Sequence, residues 1–200
     1  MIDPSEIETR FALEDGMAFM ASIFEEPSEE SKRRIEQVVR ILDDLPPREA
    51  DFIDLYYFRR LKQTDIAHIF GVSQPTVCYR LQRAAARIQF LLRMPAVDLG
   101  RLEKELRNLL VNPTVERPAL DVKIMLLMLE TTCQSEVAKR LGVSQGLVRH
   151  RFIRSLSRMR EALGDRGSYV RLFEFVAGNL NILREVQRPA WDAKVTHTID

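Results

Sequence analysis

The chain has 200 residues, 46% hydrophobic and 30% charged, with a formal net charge of +1, enough for one large domain or two small ones. That small net charge conceals an asymmetry: residues 1–30 hold nine acids against Arg10 alone, so an acidic head precedes a basic body suited to nucleic acid. An opening of MIDPSEIETR has no secretory pattern, and the longest apolar run, IMLLML at 124–129, cannot span a bilayer, so a soluble cytoplasmic protein is expected.

Within the acidic segment, residues 1–30, positions 5–24 carry Ile7, Phe11, Leu13, Met17, Met20 and Phe24 at helical spacing, which predicts an amphipathic helix. Packing on a core is one role for it; its acids imitating phosphate and shielding a basic helix is the other. A first module follows over 31–93. In PPREADFIDLYYFRRL, Pro47 begins a helix in the turn where its missing N–H costs nothing, and Phe52, Ile53, Leu55, Tyr56 and Phe58 form a broad apolar stripe. A short helix over Gln63–Phe70 turns Ile66, Ala67 and Phe70 inward. Gly71 stands where a helix ends in a left-handed residue, and Ser73 where the next helix needs a cap. Beyond it Val77, Leu81, Ala84 or Ala85, Ile88 and Leu92 recur at helical spacing and should face the core.

A linker over 94–116 contains a predicted helix at Leu99–Leu110, ended by Asn112-Pro113 and Arg117-Pro118. A second module over 117–163 then repeats the first. Gln63 aligns with Gln134 at an offset of 134 − 63 = 71, and without a gap Pro47 meets Pro118, Ile53 meets Ile124 and Val77 meets Val148. The shared GVSQ lies at 71–74 and 142–145, and Arg80, Arg83 and Arg87 meet Arg151, Arg154 and Arg158. Inward positions on the later helix are Val148, Phe152, Leu156, Met159 and Leu163. In 164–200, SYVRLFEFVAGNLNILREV predicts one final helix with Tyr169, Leu172, Phe173, Val176, Leu180 and Leu183 along one side. That side suits either covering the second module or pairing with another copy of the chain in a homo-oligomer. Trp191 in the terminal RPAWDAKVTHTID is a candidate docking anchor.

A short helix, a glycine turn and a capped second helix describe a helix-turn-helix, and the expected fold is all-α, with two such modules in tandem, a helical linker and accessory helices at both ends. The polar side of each second helix is then a candidate DNA surface. In the first module it offers Ser73, Gln74, Pro75, Thr76, Tyr79, Arg80, Arg83 and Arg87, with no acid between Gln74 and Arg93. In the second it offers Ser144, Gln145, Leu147, Arg149, His150, Arg151, Arg154 and Arg158, again without an acid from Ser144 to Arg160. A carboxylate between two phosphate strands would be repelled, whereas an arginine binds phosphate or guanine through two hydrogen bonds. Early residues of such a helix enter the major groove and later ones meet the backbone. Gln74, Thr76, Tyr79 and Arg80 are therefore expected on bases, and Arg83 and Arg87 on phosphates.

The first module resembles region 4 of housekeeping-type bacterial sigma factors and the related LuxR-like helix-turn-helix. The resemblance rests on LPPRE at 45–49, the IDLYYF helix, the DIAHIFGVSQPTV core and the arginine-bearing helix after it. It covers about residues 40–92 and is weaker over 117–163, where Gly146 and Leu147 replace Pro75 and Thr76. It implies that Ser73–Arg83 reads a promoter element in double-stranded DNA and that the module touches the RNA polymerase core. The about forty residues before the module are too few and too acidic for sigma region 2. The expectation is a duplicated region-4-like transcription regulator that works with polymerase, rather than a chain that initiates alone.

No catalytic, metal or cofactor motif appears: the histidines His68, His150 and His197 and the cysteines Cys78 and Cys133 have no ligand spacing, and no enzyme is expected. Competing functions are an architectural or packaging DNA-binding protein, like a terminase small subunit, and an adaptor that grips RNA polymerase.

Overall fold

The computed structural model describes residues 4–25, 28–110 and 118–186, with side chains in the first helix described from Asp15 onward. All regular structure among these residues is helical. In chain order it comprises α1 (Pro4–Glu25), α2 (Glu29–Leu42), α3 (Pro47–Ile53) continued by a π-helical turn (Asp54–Phe58), α4 (Gln63–Phe70) and α5 (Gln74–Arg93). Then come α6 (Leu99–Leu110), α7 (Pro118–Thr131), α8 (Gln134–Leu141), α9 (Gln145–Leu163) and α10 (Ser168–Ala177). The all-α expectation is met, and no described helix is long and apolar enough to cross a membrane. Two compact units result: described residues up to Arg93 with Glu185 and Val186, and those from Met94 to Arg184.

The first unit is built around α5. Its apolar positions Val77, Leu81, Ala84, Ala85 and Ile88 are buried with Phe52 and Ile53 of α3, Ile66 and Ala67 of α4, Val38 of α2, and Met20 and Ile23 of α1. A fully buried aliphatic side chain contributes roughly 1.5–3 kcal/mol, so Met20 and Ile23 make α1 part of the core rather than an ornament on it. Helix α1 reaches α5 because Gly16 has no side chain: a Cβ there would stand 2.5 Å from the Ala86 backbone nitrogen. Above this contact Asp15 accepts hydrogen bonds from Gln89 at 2.7 Å and Arg93 at 3.4 Å. Core packing is thus the role of the described part of α1; the side chains of Asp3, Glu6, Glu8 and Glu14 lie outside the described residues.

Helix α2 has no counterpart among the predicted elements. Ser28 caps it by accepting from the Ser31 amide at 3.0 Å, and Glu29 and Glu30 pair with Lys32 and Arg34 along its exposed side. The π-helical turn was also unforeseen. Its wide turn brings consecutive Tyr56 and Tyr57 inward, and the Tyr57 hydroxyl donates to Met17 Sδ at 3.5 Å while its ring meets Phe24 at 5.0 Å. Burial pushes the Tyr57 phenol above its ordinary pKa, so it stays a neutral donor.

In the second unit α6 spans the residues expected of it and buries Leu102, Leu106 and Leu110. Buried on α7 are Val122, Ile124, Met125, Met128 and Leu129, and on α9 Val148, Phe152, Leu156 and Met159. Leu163, expected inside, is 40% exposed at the end of α9. The predicted final helix is also shorter than its apolar spacing suggested. It stops at Ala177 before Gly178, and the chain then turns. The Asn181 and Leu183 amides donate to the Thr132 carbonyl and hydroxyl at 2.7 and 3.0 Å, which buries Leu183 but leaves Leu180 exposed. Val170, Leu172, Phe173 and Val176 of α10 are consumed inside the unit, with Phe173 edge-on to Phe152 and Glu174 paired with Arg160. The proline-marked segment 111–117 and the Trp191 and His197 tail lie outside the described residues.

Replacing Gly16 by alanine should destabilise the chain by about 1–2 kcal/mol, because a clash with backbone outweighs the ~1 kcal/mol that alanine gains in helix propensity. A denaturant midpoint at or above that of the parent protein would show that α1 does not pack as described.

Candidate nucleic-acid interface

Helices α3, α4 and α5 begin at residues 47, 63 and 74, and α7, α8 and α9 begin at 118, 134 and 145, each 71 later. Both inner turns are made the same way. Gly71 has φ 62° and ψ 37°, Gly142 has φ 64° and ψ 36°, and neither would meet anything with a Cβ, so glycine is required by the left-handed backbone alone. The next amide, Val72 or Val143, donates back to Ala67 or Ala138 at 3.0 Å and closes the turn. Ser73 Oγ accepts from the Thr76 amide at 3.3 Å, and Ser144 caps α9 by accepting from the Leu147 amide at 3.2 Å.

On α5 the first two turns are open. Gln74, Pro75 and Tyr79 are exposed, and Thr76 and Arg80 are half-buried. Gln74 Nε2 donates to Gln63 Oε1 at 2.7 Å, which ties the start of α5 to the start of α4. Thr76 and Ser73 share a hydroxyl hydrogen bond of 2.8 Å. Arg80 has no ion-pair partner among the described residues. Pro75, Thr76, Tyr79, Arg80 and Arg83 line an open hollow of about 570 Å³ together with Glu49 and Glu185.

Further along, the helix behaves differently from the expectation. Arg87, expected to face phosphate, is fully buried, and its Nη1 donates to Glu49 Oε2 at 2.5 Å. Arg83, 25% exposed, lies 3.8 Å from the other Glu49 oxygen and 3.6 Å from Glu185. Burial pushes the Glu49 carboxyl above its ordinary pKa and the Arg87 guanidinium below its own, the desolvation being opposed by their mutual attraction. Of the residues expected on the DNA side of the second module, Ser144, Gln145, Arg149 and His150 are exposed, and Leu147 and Arg158 are half-buried. Arg151, also expected on the open side, is only 11% exposed and donates to Asp121 Oδ1 at 2.9 Å, while Arg154 donates to Asp121 Oδ2 at 3.2 Å.

Arg87 and Arg151 are thereby corrected from solvent-facing to inward-paired positions. Helical periodicity assigns an arginine to the polar side, but it takes no account of a carboxylate on another helix. The missed partners were Glu49, within LPPRE, and Asp121, the one acid in the largely apolar PALDVKIMLLML. For Asp121 an acid among apolar residues was the available signal, since a buried carboxylate needs a cation beside it, whereas nothing in LPPRE marked Glu49 as buried.

Cutting Glu49 to alanine should cost about 3–5 kcal/mol by leaving Arg87 buried without its counter-charge. The double change Glu49→Leu with Arg87→Met should recover most of that loss. Urea titrations of the single and double variants measure both, and additive losses would show that the two groups do not act as a pair.

Residues 41–89 match the family model described as Sigma-70, region 4. Comparison with curated proteins and with solved structures gives no significant match. The segment that carries α3, α4 and most of α5 is therefore a sigma region 4-like helix-turn-helix, a DNA-binding type of domain associated with transcription.

Proposed function

We propose that this protein is a DNA-binding transcription regulator that uses two sigma region 4-like helix-turn-helix units, the second a copy of the first. The observation that carries the reading is the open start of α5, where Gln74, Thr76, Tyr79 and an arginine without an ion-pair partner follow a capped turn inside the matched segment. Gln74 suits an adenine edge, the Thr76 methyl a thymine methyl and Arg80 a guanine edge. Arg83 remains a phosphate contact at the margin of this surface. In the second unit Gln145, Arg149, His150 and Arg158 are the corresponding polar contacts. The duplication is supported by the constant offset of 71 in the helix starts and by the matching glycine geometry. Tandem units would let one chain address two unlike half-sites, where a symmetric dimer presents two equal helices. RNA polymerase is the protein partner that the family of the matched segment brings with it.

Binding to duplex DNA should weaken steeply with salt, since each neutralised phosphate releases counterion. On a duplex selected from a random pool, Arg80→Ala should cost about 1–3 kcal/mol and relax preference at one position. Fluorescence anisotropy over a salt series tests both. Equal loss on selected and scrambled duplexes would demote Arg80 to a phosphate contact, and absence of binding at low salt would remove the reading.

A further inference from the structure

The two units hold their arginine rows with acids in different registers. Adding the offset, Glu49 corresponds to 49 + 71 = 120, which is Leu120, whereas the second acid is Asp121. A step of one residue turns a helix by about 100° and advances it by about 1.5 Å. Its consequence on the facing helix is a shift of one turn. Glu49 takes Arg83 and Arg87, while Asp121 takes Arg151 and Arg154, the counterparts of Arg80 and Arg83. In α5 the arginine left without an ion pair is Arg80, in the second turn, where a recognition helix meets bases. In α9 the matching residue is the one withdrawn, and Arg158, the counterpart of buried Arg87, is left half-exposed farther along the helix. Two neighbouring differences run the same way. Gly146 and Leu147 stand for Pro75 and Thr76, so the groove-facing end of α9 also loses a hydroxyl that the α5 end keeps.

We infer that Asp121 is a specificity-determining residue: by holding Arg151 it makes the second unit an anchor that grips phosphates through Arg149 and Arg158, and it leaves base selection to α5. The inference rests on the DNA-binding reading above and goes beyond it in dividing the labour between the units. Asp121 acts through Arg151 and is a positioning residue, so its removal has a signature that lost packing would not give. Releasing the guanidinium adds a cation to the DNA surface.

The test uses the full chain and two duplexes, one selected from a random pool and one scrambled. Arg80→Gln should weaken the selected duplex at least tenfold and bring it near the scrambled one. Arg151→Gln should leave both affinities within twofold of the parent while lowering the melting temperature. Asp121→Asn unties Arg151 and Arg154 together, so it should tighten the scrambled duplex and steepen the slope of log affinity against log salt by about 0.9 for each of the two that reaches a phosphate. In Asp121→Asn with Arg151→Gln the increment should fall by about 0.9, the share of Arg151, and leave only what Arg154 supplies. Arg151→Gln weakening the selected duplex as much as Arg80→Gln, with native circular dichroism, would overturn the inference; so would a folded Asp121→Asn protein with an unchanged slope. If Asp121→Asn does not fold, the Arg151→Gln comparison decides alone. A parent protein that binds neither duplex fails at the earlier step and overturns the regulatory reading itself, a result distinct from equal effects of the two arginine variants.

Discussion

In each unit a carboxylate on the helix before the turn motif reaches the arginine side of the helix after it. Glu49 and Asp121 have side chains 5% and 0% exposed, and burying a carboxylate is costly unless a cation and hydrogen bonds stand beside it, as the guanidinium groups do here. The constraint works in both directions. A row of arginines repels itself along the polar side of a helix, and one buried carboxylate beside the apolar seam fixes which part of the row turns inward. The remaining arginines are outward by exclusion. In this protein the orientation of the candidate DNA surface is set from behind, by a charge pair, as much as by the apolar seam beneath it.

Buried pairs of this kind contribute little net stability compared with apolar residues of the same volume, but breaking one is costly. Their value lies in geometry. Apolar packing alone tolerates small rotations of a helix, because leucine and isoleucine fill space in several ways. The directional hydrogen bond from Arg87 to Glu49 tolerates them less, and it ties the rotation of α5 to α3.

Much of this architecture was legible in the residues because it is local. Pro47 and Pro118 at helix starts, Gly71 and Gly142 in left-handed turns, and Ser73 and Ser144 as caps each follow from the stereochemistry of a few neighbouring atoms. The linker helix was legible for the same reason, its apolar spacing being uninterrupted between Leu99 and Leu110. What escaped depends on contacts distant in the chain. Which arginines face solvent is decided by acids 38 and 30 residues earlier, and the end of α10 by hydrogen bonds to Thr132 some fifty residues before it. Helix α2 was legible in the same way, since Ile35, Val38, Val39 and Leu42 recur at helical spacing behind the Ser28 cap, although the expected elements did not include it.

The close approach at Gly16 bears on where this domain begins. Because α1 meets α5 backbone to backbone and seats Met20 and Ile23 in the same interior as Phe52 and Leu81, the matched segment 41–89 is not a freestanding fold in this chain. A shortened polypeptide starting after residue 30 would present an open seam along α5 and leave the paired tyrosines of the π turn facing water. The acidic head is thus the lid of the box, and the boundary suggested by family likeness falls inside the physical object rather than at its edge.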